Sequence, residues 1–238
     1  MIKNVFVDLD DTLIPWYYVY SIPQLDSVKL ICIDLQELAP IPMEIIKMAT
    51  DWQLKNMEEC GFISKTNFPQ SFVEVYQELC KKNNRDVNKK IESAIWASGL
   101  RYVIQDVKIF PGVKETLEKI HQNKYLVTRG DHDIQSYKIH HTGLVDYFDY
   151  LEIVPLKNEN TYMNLLKKHQ LKAEETIMIG DSYGNDIKPA LKTGMKVVHI
   201  DPKVSTYHWD SHIHHFEDGL GDYPVVKNFT EVLQYLGN

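Results

Sequence analysis

Two aspartates two positions apart, Asp8 and Asp10, follow directly on the apolar run Val5-Phe6-Val7. Side chains alternate along a strand, so both carboxylates share one side if the extended chain continues through them. Like charges held together out of water repel, unless a cation offsets them or one keeps a proton. Such a pair suits a nucleophile beside a general acid/base, with a hard divalent ion between the site and its substrate. The structural alternative is that an Asp-rich loop only caps the helix after it.

Five segments have the β-branched and apolar content of strands: Asn4 to Leu9, Lys124 to Thr128, Tyr150 to Val154, Thr176 to Gly180 and Lys196 to Ile200. Their near-continuous hydrophobicity fits strands buried on both faces. Helical stripes lie between the later ones. Val113, Leu117 and Ile120 follow Pro111-Gly112, then come Tyr162, Leu165 and Leu166, then Ile187, Ala190 and Leu191. A short helix over Phe229 to Leu236 would close the chain. This alternation from about residue 109 predicts a parallel sheet with right-handed crossovers.

The stretch from Pro15 to Val107 stands outside that pattern. Ile45, Ile46, Ala49, Trp52 and Met57 predict one amphipathic helix; Phe72, Val73, Tyr76, Leu79 and Cys80 a second; Ile91, Ala94, Ile95 and Leu100 a third. Between Pro23 and Pro42, Lys29 to Leu35 fits helix or strand. The expected fold class is α/β, with a core from residues 1–14 and 108–238 and a mainly helical domain over 15–107.

Ligands of an open α/β sheet bind beyond the carboxyl ends of its strands. Asp8 and Asp10 end the first strand, and Thr128-Arg129-Gly130-Asp131 follows the second. Lys157 comes shortly after the third, and Gly180-Asp181-Ser182-Tyr183-Gly184-Asn185-Asp186 follows the fourth. Each has a bland reading alone: Thr128 ends a strand, Lys157 is an exposed lysine, Asp181 and Asp186 cap a helix. Four such coincidences together are hard to explain by folding needs.

In this order and spacing the chain resembles the haloacid dehalogenase-like (HAD) hydrolase superfamily, in a form with a helical cap inserted between the first and second motifs. Asp8-Leu9-Asp10-Asp11-Thr12 and Gly180 to Asp186 carry the resemblance most specifically; Thr128 and Lys157 gain force from position. Phe110-Pro111-Gly112-Val113 and Gly143 to Asp149 also look like capped members. The resemblance covers residues 1–13 and about 109–201, and implies a Rossmann-like core.

It further implies that Asp8 attacks phosphorus and becomes an aspartyl phosphate, while Asp10 protonates the leaving oxygen and then activates water. Mg²⁺ would sit among the Asp8 carboxylate, the Asp10 backbone carbonyl, Asp181 and the phosphate, with Asp186 in its shell directly or through water. Thr128 and Lys157 would bind phosphoryl oxygens, with Lys138 competing for the lysine's role. Arg129 departs from the family pattern, in which a smaller polar residue commonly follows the threonine; it would pair with Asp131 or Asp133 or, as the alternative, clamp a second substrate anion. The implied activity is a Mg²⁺-dependent phosphatase for a small phosphorylated metabolite such as a nucleotide, sugar phosphate or flavin mononucleotide. A phosphomutase, a haloacid dehalogenase or a non-catalytic phosphate-binding module are the alternatives; a dehalogenase attacks carbon and has no need of Asp10 as a leaving-group acid.

A formal charge of −7 and the absence of a long basic run argue against a nucleic-acid partner. Lys81, Lys82, Arg85, Lys89 and Lys90 form the densest basic cluster and read as a solvated helix-and-turn surface. No apolar run is long enough to span a bilayer, and a strand opening at Asn4 leaves no room for a signal peptide. Cys32, Cys60 and Cys80 lack metal-ligand spacing and read as reduced thiols, so a cytoplasmic location is expected. His212, His214 and His215 read as a surface loop rather than a zinc site. Trp16, Tyr17 and Tyr18 read as packing aromatics, with stacking on a ligand ring as the alternative. Oligomeric state is left open.

Overall fold

A computed structural model describes residues 1–60, 64–101, 107–201 and 222–237; His212, His214 and His215 lie outside the described residues. The chain forms two compact units, one from Met1–Trp16 with Val107–Asn238 and one from Tyr17–Asp106.

The first unit is built on six strands: β1 (Asn4–Val7), β2 (Asn123–Arg129), β3 (Tyr150–Val154), β4 (Thr176–Gly180), β5 (Lys196–Ile200) and β6 (Val225–Val226). They pair in the order β3-β2-β1-β4-β5-β6, every pair parallel. Val7 stands opposite Leu126 on one side and Ile179 on the other, which brings the carboxyl ends of β1, β2 and β4 side by side. Val5, Val7, Leu126, Ile177 and Ile179 belong to one core cluster, and Phe6, Tyr125, Val127 and Met178 to a second. Both faces are therefore apolar, which is why the strands read as continuous hydrophobic runs. Helices α5 (Val113–Lys119), α6 (His132–His141), α7 (Glu159–Lys168) and α8 (Lys188–Lys192) connect them.

Strand β1 stops at Val7, two residues before the run of apolar and acidic residues suggested. Asp11 takes the left-handed region at φ 59, and the chain folds back on itself there. The Leu13 amide donates to Leu9 O at 2.9 Å and the Asp11 amide to Ile14 O at 2.7 Å. At the far end of the inserted segment, the Phe110 amide donates to Leu13 O at 2.9 Å. Trp16 packs against the first core cluster.

The second unit is helical: α1 (Tyr17–Leu35), α2 (Pro42–Cys60), α3 (Asn67–Lys82) and α4 (Lys89–Leu100). Phe68, Phe72, Tyr76 and Leu79 form the buried face of α3. Polar bonds tie the helices together: Gln53 Nε2 donates to Ser71 Oγ at 2.9 Å, and the Tyr76 hydroxyl to Asp34 Oδ2 at 2.7 Å. Asn88 caps α4 by accepting from the Lys90 amide. Lys29 to Leu35, open to helix or strand from the sequence, is helix. Lys81, Lys82, Arg85, Lys89 and Lys90 are all exposed. Among the described residues no helix is long and apolar enough to cross a membrane.

The architecture is thus a parallel, Rossmann-like α/β core with a helical domain inserted after the first strand.

Candidate active site

A cavity of about 140 Å³ opens at the carboxyl ends of the central strands. Asp8, Asp10, Asp11, Asp181 and Asp186 line it, with Thr128, Arg129 and Lys157 among its other walls. The sequence-nominated groups from four strands therefore meet in one place. What the fold does with each of them differs.

Asp8 is fixed by the sheet, its amide donating to Ile179 O at 2.9 Å. One oxygen each from Asp8, Asp181 and Asp186 lies within 4.8 Å of the others, and all three residues are buried. Burial, with Asp186 and Asp10 nearby, pushes the Asp8 carboxyl up to about 7 even though Lys157 pulls it down. Burial and the Asp8 and Asp186 charges also raise Asp181 well above the ordinary carboxylate range.

The Lys157 ammonium sits between two of these groups, donating to Asp8 Oδ1 and, at 2.6 Å, to Asp186 Oδ1. Burial works against that charge, but Asp186 and Asp8 outweigh it and raise the lysine above its usual value. One ammonium does not neutralise three buried carboxylates. An all-oxygen donor set with surplus negative charge is what a hard divalent cation requires, so the residues present fit such an ion. The Asp10 carboxylate stands outside this group of three.

Asp186 owes its place to Gly180 and to an irregular turn. A β-carbon on Gly180 would fall 2.5 Å from Asp186 Cγ. Tyr183–Ile187 forms a π-helical turn, entered at Ser182, whose hydroxyl oxygen accepts from Asn185 N and Nδ2. Such turns are frequent at functional sites. Asp186 Oδ2 accepts from the Ser182 amide at 3.1 Å, and the buried Tyr162 hydroxyl donates to Asn185 O at 3.0 Å. Asp181 receives a long bond, 3.4 Å, from Thr12 Oγ1, and its carbonyl accepts from His199 Nε2 at 2.8 Å.

Thr128 is buried on β2 and accepts a hydrogen bond from Gln135 Nε2. Arg129 donates to Asn185 Oδ1 at 3.0 Å, while Asp131 caps α6 by accepting from the Asp133 and Ile134 amides. Lys138 is directed to Asp10 rather than to the acidic group of three: its Nζ donates to Oδ1 at 2.9 Å and to Oδ2 at 2.8 Å. Burial lowers its pKa, against the pull of Asp10. The Trp16 ring centroid lies 3.3 Å from the same nitrogen.

Sequence reasoning missed Gln135, which donates to Asp10 Oδ2 at 3.1 Å as well as to Thr128. The available signal was the spacing of Gln135 and Lys138, one turn apart on a helix whose buried side also carries Ile134 and Ile139.

Asp8 after the first strand and the Asp181 to Asp186 loop after the fourth thus face one cavity at the carboxyl edge of a Rossmann-like parallel sheet. Residues 47–200 match the haloacid dehalogenase-like hydrolase family, and the chain belongs to it. A glyceraldehyde 3-phosphate phosphatase of Pyrococcus furiosus is 26% identical over 205 residues, covering 83% of this chain and 80% of that protein. A haloacid dehalogenase-like family hydrolase from Xanthomonas campestris superposes with a TM-score of 0.72 at 25% identity, over 84% of this chain and 81% of that one. A 2-haloacid dehalogenase from Pseudomonas syringae shares the fold at a TM-score of 0.61 and 19% identity, over 99% and 98% of the two chains. This protein is accordingly an enzyme of the HAD-like hydrolases, with a helical cap inserted in its core.

Proposed function

We propose that the protein is a Mg²⁺-dependent phosphatase that hydrolyses a small phosphomonoester through an aspartyl phosphate on Asp8. The observation that carries this reading is the different company kept by the two motif aspartates on one cavity. Asp8 lies in the acidic group with Lys157, while Asp10 is held apart by Lys138 and Gln135. Two carboxylates in unlike environments suit two roles.

In the first half reaction an Asp8 oxygen bonds to phosphorus as the bond to the leaving oxygen breaks. Asp10 gives that oxygen its proton. In the second, Asp10 takes a proton from water as the water attacks phosphorus, and the acyl-phosphate bond breaks to free Asp8 and inorganic phosphate. Gln135 occupies the acceptor side of the Thr128 hydroxyl, leaving its O–H to donate to a phosphoryl oxygen. Lys157 meets charge on the same group, and Arg129 meets a second anion where the substrate has one. Asp8, Asp181 and Asp186, with the Asp10 carbonyl, would hold Mg²⁺, which when bound draws charge off the phosphoryl group and lets an anionic nucleophile approach.

A dehalogenase forms its ester at carbon and releases halide, so it has no leaving oxygen for Asp10 to protonate. The Pyrococcus relative adds phosphorylated trioses to the nucleotides, sugar phosphates and flavin mononucleotide that make up the candidate substrates. The test is phosphate release from that panel, with Mg²⁺ and with EDTA, against Asp8→Asn as the blank. Metal-dependent release that Asp8→Asn abolishes supports the phosphatase; no release from any member rejects it.

A further inference from the structure

We infer that Lys138 and Gln135 are positioning residues that aim the Asp10 carboxylate for proton transfer to and from the leaving oxygen. This rests on the reading of Asp10 as the acid/base of a phosphatase.

The backbone alone does not aim Asp10. It lies beyond the end of β1, beside a left-handed residue at Asp11, and its side chain is 25% exposed. Three bonds converge on its two oxygens: Lys138 Nζ at 2.9 and 2.8 Å, and Gln135 Nε2 at 3.1 Å. Lys138 is itself only 2% exposed, so its ammonium has been taken out of water to make this contact. A quarter-exposed carboxylate is already solvated on one side and does not need a buried cation for its charge to be tolerated. What the cation adds is direction.

The supporting geometry is built for that purpose. Gln135 and Lys138 lie three residues apart on one face of α6. The same Gln135 nitrogen reaches Thr128 Oγ1 and, at 3.1 Å, Arg129 O. One helix face thereby sets the acid/base and a phosphoryl-binding hydroxyl in a common frame. Gly130 leaves room for it: a β-carbon there would stand 3.0 Å from Gln135 Cγ. Trp16 lies over the Lys138 ammonium at 3.3 Å from the ring centroid. Groups held this way lose effectiveness steeply when displaced.

The test is the leaving-group dependence of kcat/KM at saturating Mg²⁺, a quantity that reads no further than phosphoryl transfer to Asp8. Phenyl phosphate needs its leaving oxygen protonated; dinitrophenyl phosphate departs as a stable phenolate. Lys138→Met should lower kcat/KM about 100-fold on phenyl phosphate and less than about threefold on dinitrophenyl phosphate, as loss of general acid catalysis does. Asp10→Asn should show the same pattern, and Lys138→Met/Asp10→Asn should be no slower than Asp10→Asn alone. The double variant removes both charges of the pair, so no unpaired charge threatens its folding. Gln135→Leu, measured on the same series, should also lose more on phenyl phosphate and serves if Lys138→Met does not fold. Equal losses on both substrates, or additive losses in the double variant, would overturn the positioning role and leave Lys138 a structural cation. A uniform loss for Asp10→Asn would instead reject Asp10 as the acid, and the inference with it.

Discussion

The α-carbon of Gly180 faces the carboxylate of Asp186 so closely that a β-carbon would stand 2.5 Å from Asp186 Cγ. No real side-chain carbon tolerates that approach, so Gly180→Ala must move Asp186 or the strand end. Overpacking of this kind costs about 1–3 kcal/mol of stability. Displacing one carboxylate from the group of three should also weaken divalent-ion affinity by about tenfold or more. Thermal unfolding across a Mg²⁺ titration reads both effects; an unchanged midpoint for the ion would show that Asp186 is not in its shell.

Lys157→Met removes the ammonium that Asp8 and Asp186 share. Breaking a buried ion pair from one side typically costs about 3–5 kcal/mol, because the partner charge is left without compensation. The loss should be large in EDTA and smaller with Mg²⁺, since a bound cation takes over the neutralisation. Equal destabilisation in both conditions would separate the lysine from the metal site.

Metal-free protein should lose stability as pH rises. Asp8 ordinarily titrates near 3.8, and in the folded state burial pushes it up to about 7. A group whose folded value is raised contributes fully below its unfolded value and loses that contribution as pH climbs through the folded one. The decline in chelator should therefore span about pH 4 to 7, shrink in Asp8→Asn and be suppressed by Mg²⁺. Urea midpoints at stepped pH measure it, and a midpoint flat across that range would contradict the raised carboxyl.

Arg129→Met removes a guanidinium from the cavity wall, where its bond is to the Asn185 amide oxygen. KM should rise about tenfold or more for phosphates that carry a carboxylate or second phosphate, and little for those that carry none. A uniform rise would leave Arg129 as support for the Asn185 loop.

The parallel sheet was readable because each of its central strands is buried on both faces, so Phe6 and Val7 or Met178 and Ile179 give an unbroken signal. Helix α1 gave none of comparable clarity. Pro23 sits inside it, and Ile22, Leu25 and Ile33 are more than half exposed, so its apolar residues trace no single stripe. β6 has only two residues, too few for any pattern. At the site, Asp8, Asp10 and the Gly180–Asp186 loop announced themselves by spacing. Gln135 did not, because a buried glutamine on a helix looks like any surface polar residue until its partners are known. Lys138, a rival to Lys157 for the phosphate from its position after β2, instead turns to Asp10.

The hydrogen bond from the Phe110 amide to Leu13 O ties together the departure and return points of the 90 residues from Tyr17 to Asp106. β1 itself is held on both sides by its pairing with β2 and β4. The entropic cost of an excursion grows only with the logarithm of its length, about 0.6 kcal/mol per doubling. An insert joined in this way can lengthen or shorten at small entropic cost, while Asp8 and Asp10 stay at the end of β1.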